Sequence, residues 1–408
     1  MTITRMKVAL NSMITVQVAD SILNEISLAF PQEDCLLLNS LDRVLAEDLL
    51  SDRPQPPFNR VAMDGIAICY EAWDQGKREF LIQDIQAAGV PAVTLAKAHA
   101  CVEVMTGAVC PEGTDTVIPV EQISMKASSA ILHEDIILRK GQNIHAYASD
   151  GQMSDVLVKA GTVLKTPHIA IAASLGKTSL SVVSRPKIAM VATGDELVPV
   201  SEPPEPYQIR VSNISAAEAF LKRQGFENLD VALLKDDRVI LQKSLKSMLE
   251  QSQVLILSGG VSKGKFDYIP EVLEELGVKQ EFHRVAQRPG KPLWFGRGPQ
   301  GQVVFGVPGN PVSFLICLYR YIWPMLQRMM GVDVLGEWME LLEDVSFMKP
   351  MTLFLPVQVL QNGVRPIIGN GSGDFVSLGQ SDGFVELSSD QDIFKRGTSV
   401  QLYRWRQA

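Results

Sequence analysis

Four short segments of this 408-residue chain combine glycine, proline, carboxylate and cationic side chains at spacings that suit chemistry on an anion. The first is Thr193-Gly194-Asp195-Glu196-Leu197, where Gly194 permits a sharp turn and leaves two carboxylates side by side. A capping turn explains these letters as well as a site does. The second, Ser258-Gly259-Gly260-Val261-Ser262-Lys263-Gly264-Lys265-Phe266-Asp267, offers backbone N–H groups to an anion, with Lys263 and Lys265 adding charge. Asp267 suits a divalent cation held against phosphate oxygens. The third, Gln287-Arg288-Pro289-Gly290-Lys291-Pro292, fixes a guanidinium and an ammonium near each other between rigid prolines. A basic surface hairpin is the competing reading. The fourth, Gly306-Val307-Pro308-Gly309-Asn310-Pro311-Val312-Ser313, opens a helix whose N-terminus and Ser313 hydroxyl would form an oxyanion pocket. None carries a Ser/His/Asp or Cys/His set for covalent catalysis. Together they suit cleavage or transfer at a phosphoanhydride, driven by positioning and a divalent cation.

Each segment follows a run that reads as a buried strand. Candidate strands at 187–192, 229–234, 253–257, 281–286 and 303–307 alternate with helices at 213–224, 237–251, 268–276 and 311–330. This alternation predicts a doubly wound, mainly parallel α/β sheet over 181–330, which binds ligands at the carboxyl ends of its strands. Ser215 and Glu218 stand at capping-box spacing in the 213–224 helix. Elsewhere the texture changes. Residues 1–50 read as helical, with Ile22, Leu23, Ile26 and Phe30 at helical spacing and a second amphipathic stretch at 37–50. Residues 141–180 regain that texture, so 1–50 and 141–180 are expected to form one split helical linker domain. Residues 51–140 alternate short apolar runs with turns and predict an inserted β-rich module. Residues 331–408 predict a small C-terminal β-barrel without helices.

Composition excludes several classes. At roughly 150 residues per domain the length implies two to four domains. A hydrophobic content of 46% with 21% charged residues rules out a disordered chain, and a net charge of −8 argues against a general nucleic-acid surface. The five cysteines lack C-x-x-C spacing and read as reduced, buried thiols of a cytoplasmic protein. The N-terminal residues do not read as a secretory signal, and Pro308 and Pro311 break the longest uncharged stretch, so no membrane span is expected. The histidines have no zinc-ligand spacing.

Two further segments, PPFNRVAMDGIAI and VMTGAVCPEGTDTVIPVEQ, precede ATGDEL, QIRVSN, LSGGVSKGKFDYIPEVLEELG, RPGKPLWFG and GVPGNPVSFLICLYRYIWPML in the chain. In this order the set resembles the MoeA family of molybdopterin molybdenumtransferases, and is similar also to the C-terminal enzymatic part of gephyrin. The resemblance spans nearly the whole chain. It implies an enzyme of molybdenum cofactor biosynthesis that takes adenylylated molybdopterin and molybdate, inserts molybdenum at the dithiolene and releases AMP, with Mg²⁺ as the divalent cation. It also implies a homodimer whose site combines the doubly wound domain of one subunit with the β module and tail of the other. The molybdopterin adenylyltransferase of the preceding step and recipient molybdoenzymes are implied partners.

By the same resemblance, Glu196 and Asp267 match acidic site positions, and Gly259, Gly260 and Ser262 match the pterin-phosphate loop, with Lys263 beside it. Lys291 matches a basic position, with Arg288 where lysine is frequent. Pro308 and Pro311, with Gly309, Asn310 and Ser313, frame the loop that receives molybdate. A further acidic position falls on Asp236 or Asp237, and Asp237 is taken with Glu196 and Asp267 as a metal ligand. Asp64, Thr106 and Ser372 match residues of the module and tail. One departure bears on activity: Asn59 stands where many members carry aspartate. A non-catalytic molybdopterin-binding or scaffold protein of the same fold is the alternative. An adenylyltransferase would be a single small domain, which the extra modules count against.

Overall fold

The computed structural model describes residues 13–26, 31–261, 268–332, 334–347 and 350–405. They gather into two compact units, Met1–Glu33 with Val183–Ala408, and Asp34–Val182.

The first unit contains the α/β sheet. Its elements run α1 (Val16–Asn24), β1 (Ile188–Thr193), α2 (Asn213–Arg223), β2 (Leu229–Leu234), α3 (Arg238–Gln251), β3 (Val254–Ser258), α4 (Ile269–Glu275), β4 (Lys279–His283), β5 (Trp294–Arg297), β6 (Val303–Val307), α5 (Pro311–Cys317) and α6 (Trp323–Met329). The sheet order is β2-β1-β3-β6-β5-β4. The first four strands are parallel, and β5 and β4 close the edge antiparallel. Alternate residues of β1 feed opposite faces. Ile188, Met190 and Ala192 pack with α2, α5 and α6, whereas Ala189 and Val191 pack with α3 and α4. The sheet is therefore doubly wound. Strands covered on both faces must be apolar throughout, which is why they read as continuous hydrophobic runs.

Sequence expectation and structure part at several elements. α1 buries Val16, Ala19 and Leu23 in the core shared with α5 and α6. Residues 37–50 form a 3₁₀ turn at Leu37–Asn39 and a short strand at Leu49–Leu50, with no amphipathic helix. In 141–180 the helix is confined to Thr166–Ser174. α2 begins on Asn213, and Ser215 Oγ donates back to the Val211 carbonyl at 2.9 Å, so the expected capping box is not formed. The long helix after β6 contains a π turn, Leu318–Ile322.

Beyond α6 the unit continues as β7 (Glu337–Glu340), β8 (Thr352–Leu360), β9 (Gly363–Pro366), β10 (Gly383–Leu387) and β11 (Ser399–Arg404). Pairing runs β9-β8-β10-β11-β7, and a Leu341–Val364 bridge joins the two ends of this series. A short helix, Phe375–Gln380, interrupts the strands and was not anticipated. The second unit carries a six-stranded sheet ordered Thr116–Pro119, Gly65–Ile68, Ala100–Val104, Glu79–Gln86, Ser129–Leu132, Ile123–Met125. Among the described residues no helix is long and apolar enough to cross a membrane.

Candidate functional site

The carboxyl ends of β1, β3 and β6 open into a cavity of about 810 Å³. β1 leads into Gly194, whose φ is +151°, and Glu196 folds its carboxylate back over it. Glu196 and Asp236 both line the cavity. β3 leads into Gly259 and Gly260, at φ +97° and +64°. A β-carbon on Gly259 would lie 2.6 Å from the Thr193 carbonyl oxygen, and one on Gly260 2.6 Å from Ile269 Cδ1. A side chain at Gly259 would strike backbone and one at Gly260 would need Ile269 to shift, and both residues sit in the left-handed region that favours glycine. The Gly259 N–H itself donates to the Val307 carbonyl at 3.0 Å.

Asn213, 9% exposed at the start of α2, joins two of these loops. Its Nδ2 donates to Ser258 Oγ at 3.1 Å and to the Gly309 carbonyl at 2.7 Å. Asn213 belongs to the QIRVSN segment, and the sequence alone assigns it no role. The signal was its position at a strand-to-helix junction of the ligand-binding edge.

A second cavity, of about 880 Å³, shares Pro292, Pro308 and Asn310 with the first. Arg288 and Lys291 line it together with Ser313, Ser372 and apolar side chains that include Met351 and Phe354. The basic loop is fixed from below. The buried Gln287 side chain donates to the Pro289 carbonyl at 3.3 Å and accepts from the Tyr321 hydroxyl. The strand pair Gln287–Arg288 with Thr352–Leu353 ties it to β8. Burial pushes the nearby Cys317 thiol up to about 12, so it supplies no thiolate nucleophile.

The Pro308–Pro311 loop spans both cavities. Asn310 occupies the N-cap position of α5 but makes no capping bond, and its Nδ2 donates to Ser372 Oγ at 2.8 Å. The Val312 N–H donates to the Ser372 carbonyl at 3.0 Å. The expected oxyanion pocket at this helix start is thus partly filled by residue 372, since Pro311 has no N–H to offer.

A further correction concerns the acidic pair. Asp237, expected as a metal ligand, is the N-cap of α3, and its Oδ1 accepts from the Val239 and Ile240 N–H groups at 2.9 Å each. Asp236 is the member that lines the cavity. Ser262, Lys263, Lys265 and Asp267 lie outside the described residues.

In the second unit Asp64 and Thr106 meet. Asp64 Oδ1 accepts from the Thr106 N–H at 2.6 Å and its hydroxyl at 2.7 Å, and these bonds, the amide first, hold the carboxyl below its ordinary pKa. Asn59 Oδ1 accepts from the Tyr147 N–H at 2.8 Å, a bond an aspartate oxygen would make equally well.

A mainly parallel α/β sheet with a carboxylate-lined cavity at its strand ends, beside a second cavity bearing arginine and lysine, defines the class of α/β proteins whose strand-end cleft suits anionic small molecules. Comparison with known proteins gives this class a family. The family model of the MoeA N-terminal region (domain I and II) matches residues 14–176, that of a probable molybdopterin binding domain 189–328, and that of the MoeA C-terminal region (domain IV) 339–405. A molybdopterin molybdenumtransferase of Synechocystis is 39% identical over 373 residues, 90% of this chain and 93% of that protein. One of Haemophilus influenzae is 33% identical over 295 residues, 72% of each chain. The crystal structure of a molybdopterin biosynthesis MoeA protein from Pyrococcus horikoshii superposes with a TM-score of 0.82 at 25% identity, covering 97% of this chain and 100% of that one. The chain belongs to the MoeA family of molybdopterin molybdenumtransferases, enzymes of molybdenum cofactor biosynthesis.

Proposed function

We propose that the chain inserts molybdenum from molybdate into adenylylated molybdopterin, the phosphoanhydride being hydrolysed with release of AMP. The observation that carries this reading is the pair of adjoining cavities with Pro292, Pro308 and Asn310 in common. The strand-end cavity suits the adenylyl phosphate, since the Gly259-Gly260 turn at the end of β3 lines it together with carboxylates able to hold a divalent cation against phosphate oxygens. The second suits the oxyanion, with Arg288 and Lys291 supplying positive charge.

The donor set fits Mg²⁺. The Glu196 and Asp236 carboxylates share one cavity wall, and this ion takes one or two carboxylates plus substrate phosphate oxygens. When bound it would neutralise charge on the phosphate oxygens. Asp267 and Ser262 are further candidates by resemblance, as are Lys263 beside them and Asp64 and Thr106 in the β module. We also propose a homodimer in the cytoplasm that receives substrate from an adenylyltransferase and passes cofactor to molybdoenzymes. A four-part division is proposed with it, comprising a split linker domain, a β module at 51–140, the sheet domain at 181–330 and a C-terminal barrel.

The test is to incubate the full chain with adenylylated molybdopterin, Mg²⁺ and graded molybdate, following AMP and bound molybdenum. Molybdate-dependent AMP release, lost in Asp267→Asn, is expected. Tight pterin binding without AMP release would replace this reading with that of a non-catalytic binding protein.

A further inference from the structure

β1 is buried and apolar from Ile188 to Ala192 and ends on Thr193, which is 4% exposed. The Thr193 Oγ1 is buried and makes no hydrogen bond among the described residues. Folding does not explain this hydroxyl. A buried polar group without a partner is destabilising, and valine would fill the same space without that penalty. Other polar groups of the same wall are engaged, as Asn213 and Ser258 show.

The position of the hydroxyl is informative. Thr193 lines the strand-end cavity under the glycine turn, and β-carbons on Gly259 and Gly260 would lie 3.3 and 3.0 Å from its Oγ1. The turn closes the hydroxyl off from water. Two successive glycines at positive φ form that turn, the residue type with the widest backbone freedom.

We propose that Thr193 is a ligand-contacting residue: the Gly259-Gly260 turn re-seats over a bound anion, and the Thr193 hydroxyl donates to an anionic oxygen of that molecule. The proposal rests on reading this cavity as the adenylyl-phosphate site. The ligand supplies the partner that folding leaves out, so stability and affinity make opposite demands on this residue.

Thr193→Val and Thr193→Ser separate the two demands in the full-length chain, with AMP as the calorimetric probe at fixed Mg²⁺. Thr193→Val is expected to bind AMP about tenfold or more weakly, the loss of a hydrogen bond to a charged group. Its Tm is expected to equal or exceed that of the parent. Thr193→Ser keeps the hydroxyl and is expected to stay within about threefold of parental affinity. Parental affinity in Thr193→Val, or an equal loss in both variants, overturns the proposal. So does a lowered Tm in Thr193→Val, since the hydroxyl would then have a partner in the folded chain. A parent chain that binds no AMP overturns the reading of the cavity, and this proposal with it.

Discussion

Asp64 and Thr106 show how a pair separated by 42 residues sets one carboxyl's behaviour. The Thr106 amide and then its hydroxyl stabilise the ionised form, so the Asp64 pKa falls below 3.8. The sign follows from linkage. A depressed folded pKa favours the native state above the unfolded value, and this contribution is lost as pH falls through the folded value. Thr106→Val removes the hydroxyl bond and keeps the amide bond. Carboxyl titration by NMR should therefore show the Asp64 pKa rising part of the way toward 3.8, and an unchanged value would show that the hydroxyl bond is not made in solution. Asn59 teaches a related lesson. Its oxygen accepts from the Tyr147 amide, so the missing negative charge leaves the local hydrogen bond intact.

At the scale of elements, Gly65 is the most constrained position of the inserted sheet. A β-carbon there would fall 1.9 Å from the Ile118 carbonyl oxygen, on the neighbouring strand. Backbone cannot yield as a side chain can, so Gly65→Ala should unfold the Asp34–Val182 unit. Gly76, with nothing within 4 Å of its β-carbon position and φ +95°, provides the control. Limited proteolysis should cut the Gly65→Ala chain within this unit and spare Gly76→Ala, and equal resistance would refute the argument. The same contrast between local and tertiary information explains what the sequence revealed. β1, β3 and β6 were legible because strands buried on both faces are uninterrupted apolar runs, and their loops carried most of the cavity-lining residues. Residues 37–50 misled because leucines at helical spacing resemble a buried stripe, yet Leu38 is 88% exposed. Asp237 misled because adjacent aspartates are equivalent as letters. Only the start of α3 decides which of them caps and which lines the cavity. The empty hydrogen-bonding capacity of Thr193 was illegible, since an absent partner leaves no mark in sequence.

For the unit as a whole, Arg320 joins three distant stretches of chain. It lies in the π turn after α5, donates to both Asp20 oxygens of α1 at 2.8 and 2.7 Å, and reaches Glu386 of β10 at 2.7 Å. The Tyr403 hydroxyl donates to the same Glu386 at 3.0 Å. The Arg320 side chain is 11% exposed and that of Glu386 17%, so removing the guanidinium would strand the Glu386 carboxylate in a poorly hydrated place, with Asp20 better able to reach water. Breaking a buried pair in this way costs about 3–5 kcal/mol. At about 2–4 °C per kcal/mol, Arg320→Met should lower the calorimetric Tm by roughly 6–20 °C. A decrease below about 2 °C would mean that the ion pairs contribute little here. The Pro308–Pro311 loop has a similar bridging place, on a smaller scale, between the two cavities. Asn213 holds its Gly309 carbonyl from one side and Ser372 receives its Asn310 amide on the other. A molecule that shifts either anchor moves a wall common to both chambers. Occupancy of the two chambers then becomes thermodynamically linked, and whatever factor the first occupant applies to the affinity of the second, the second must apply to the first.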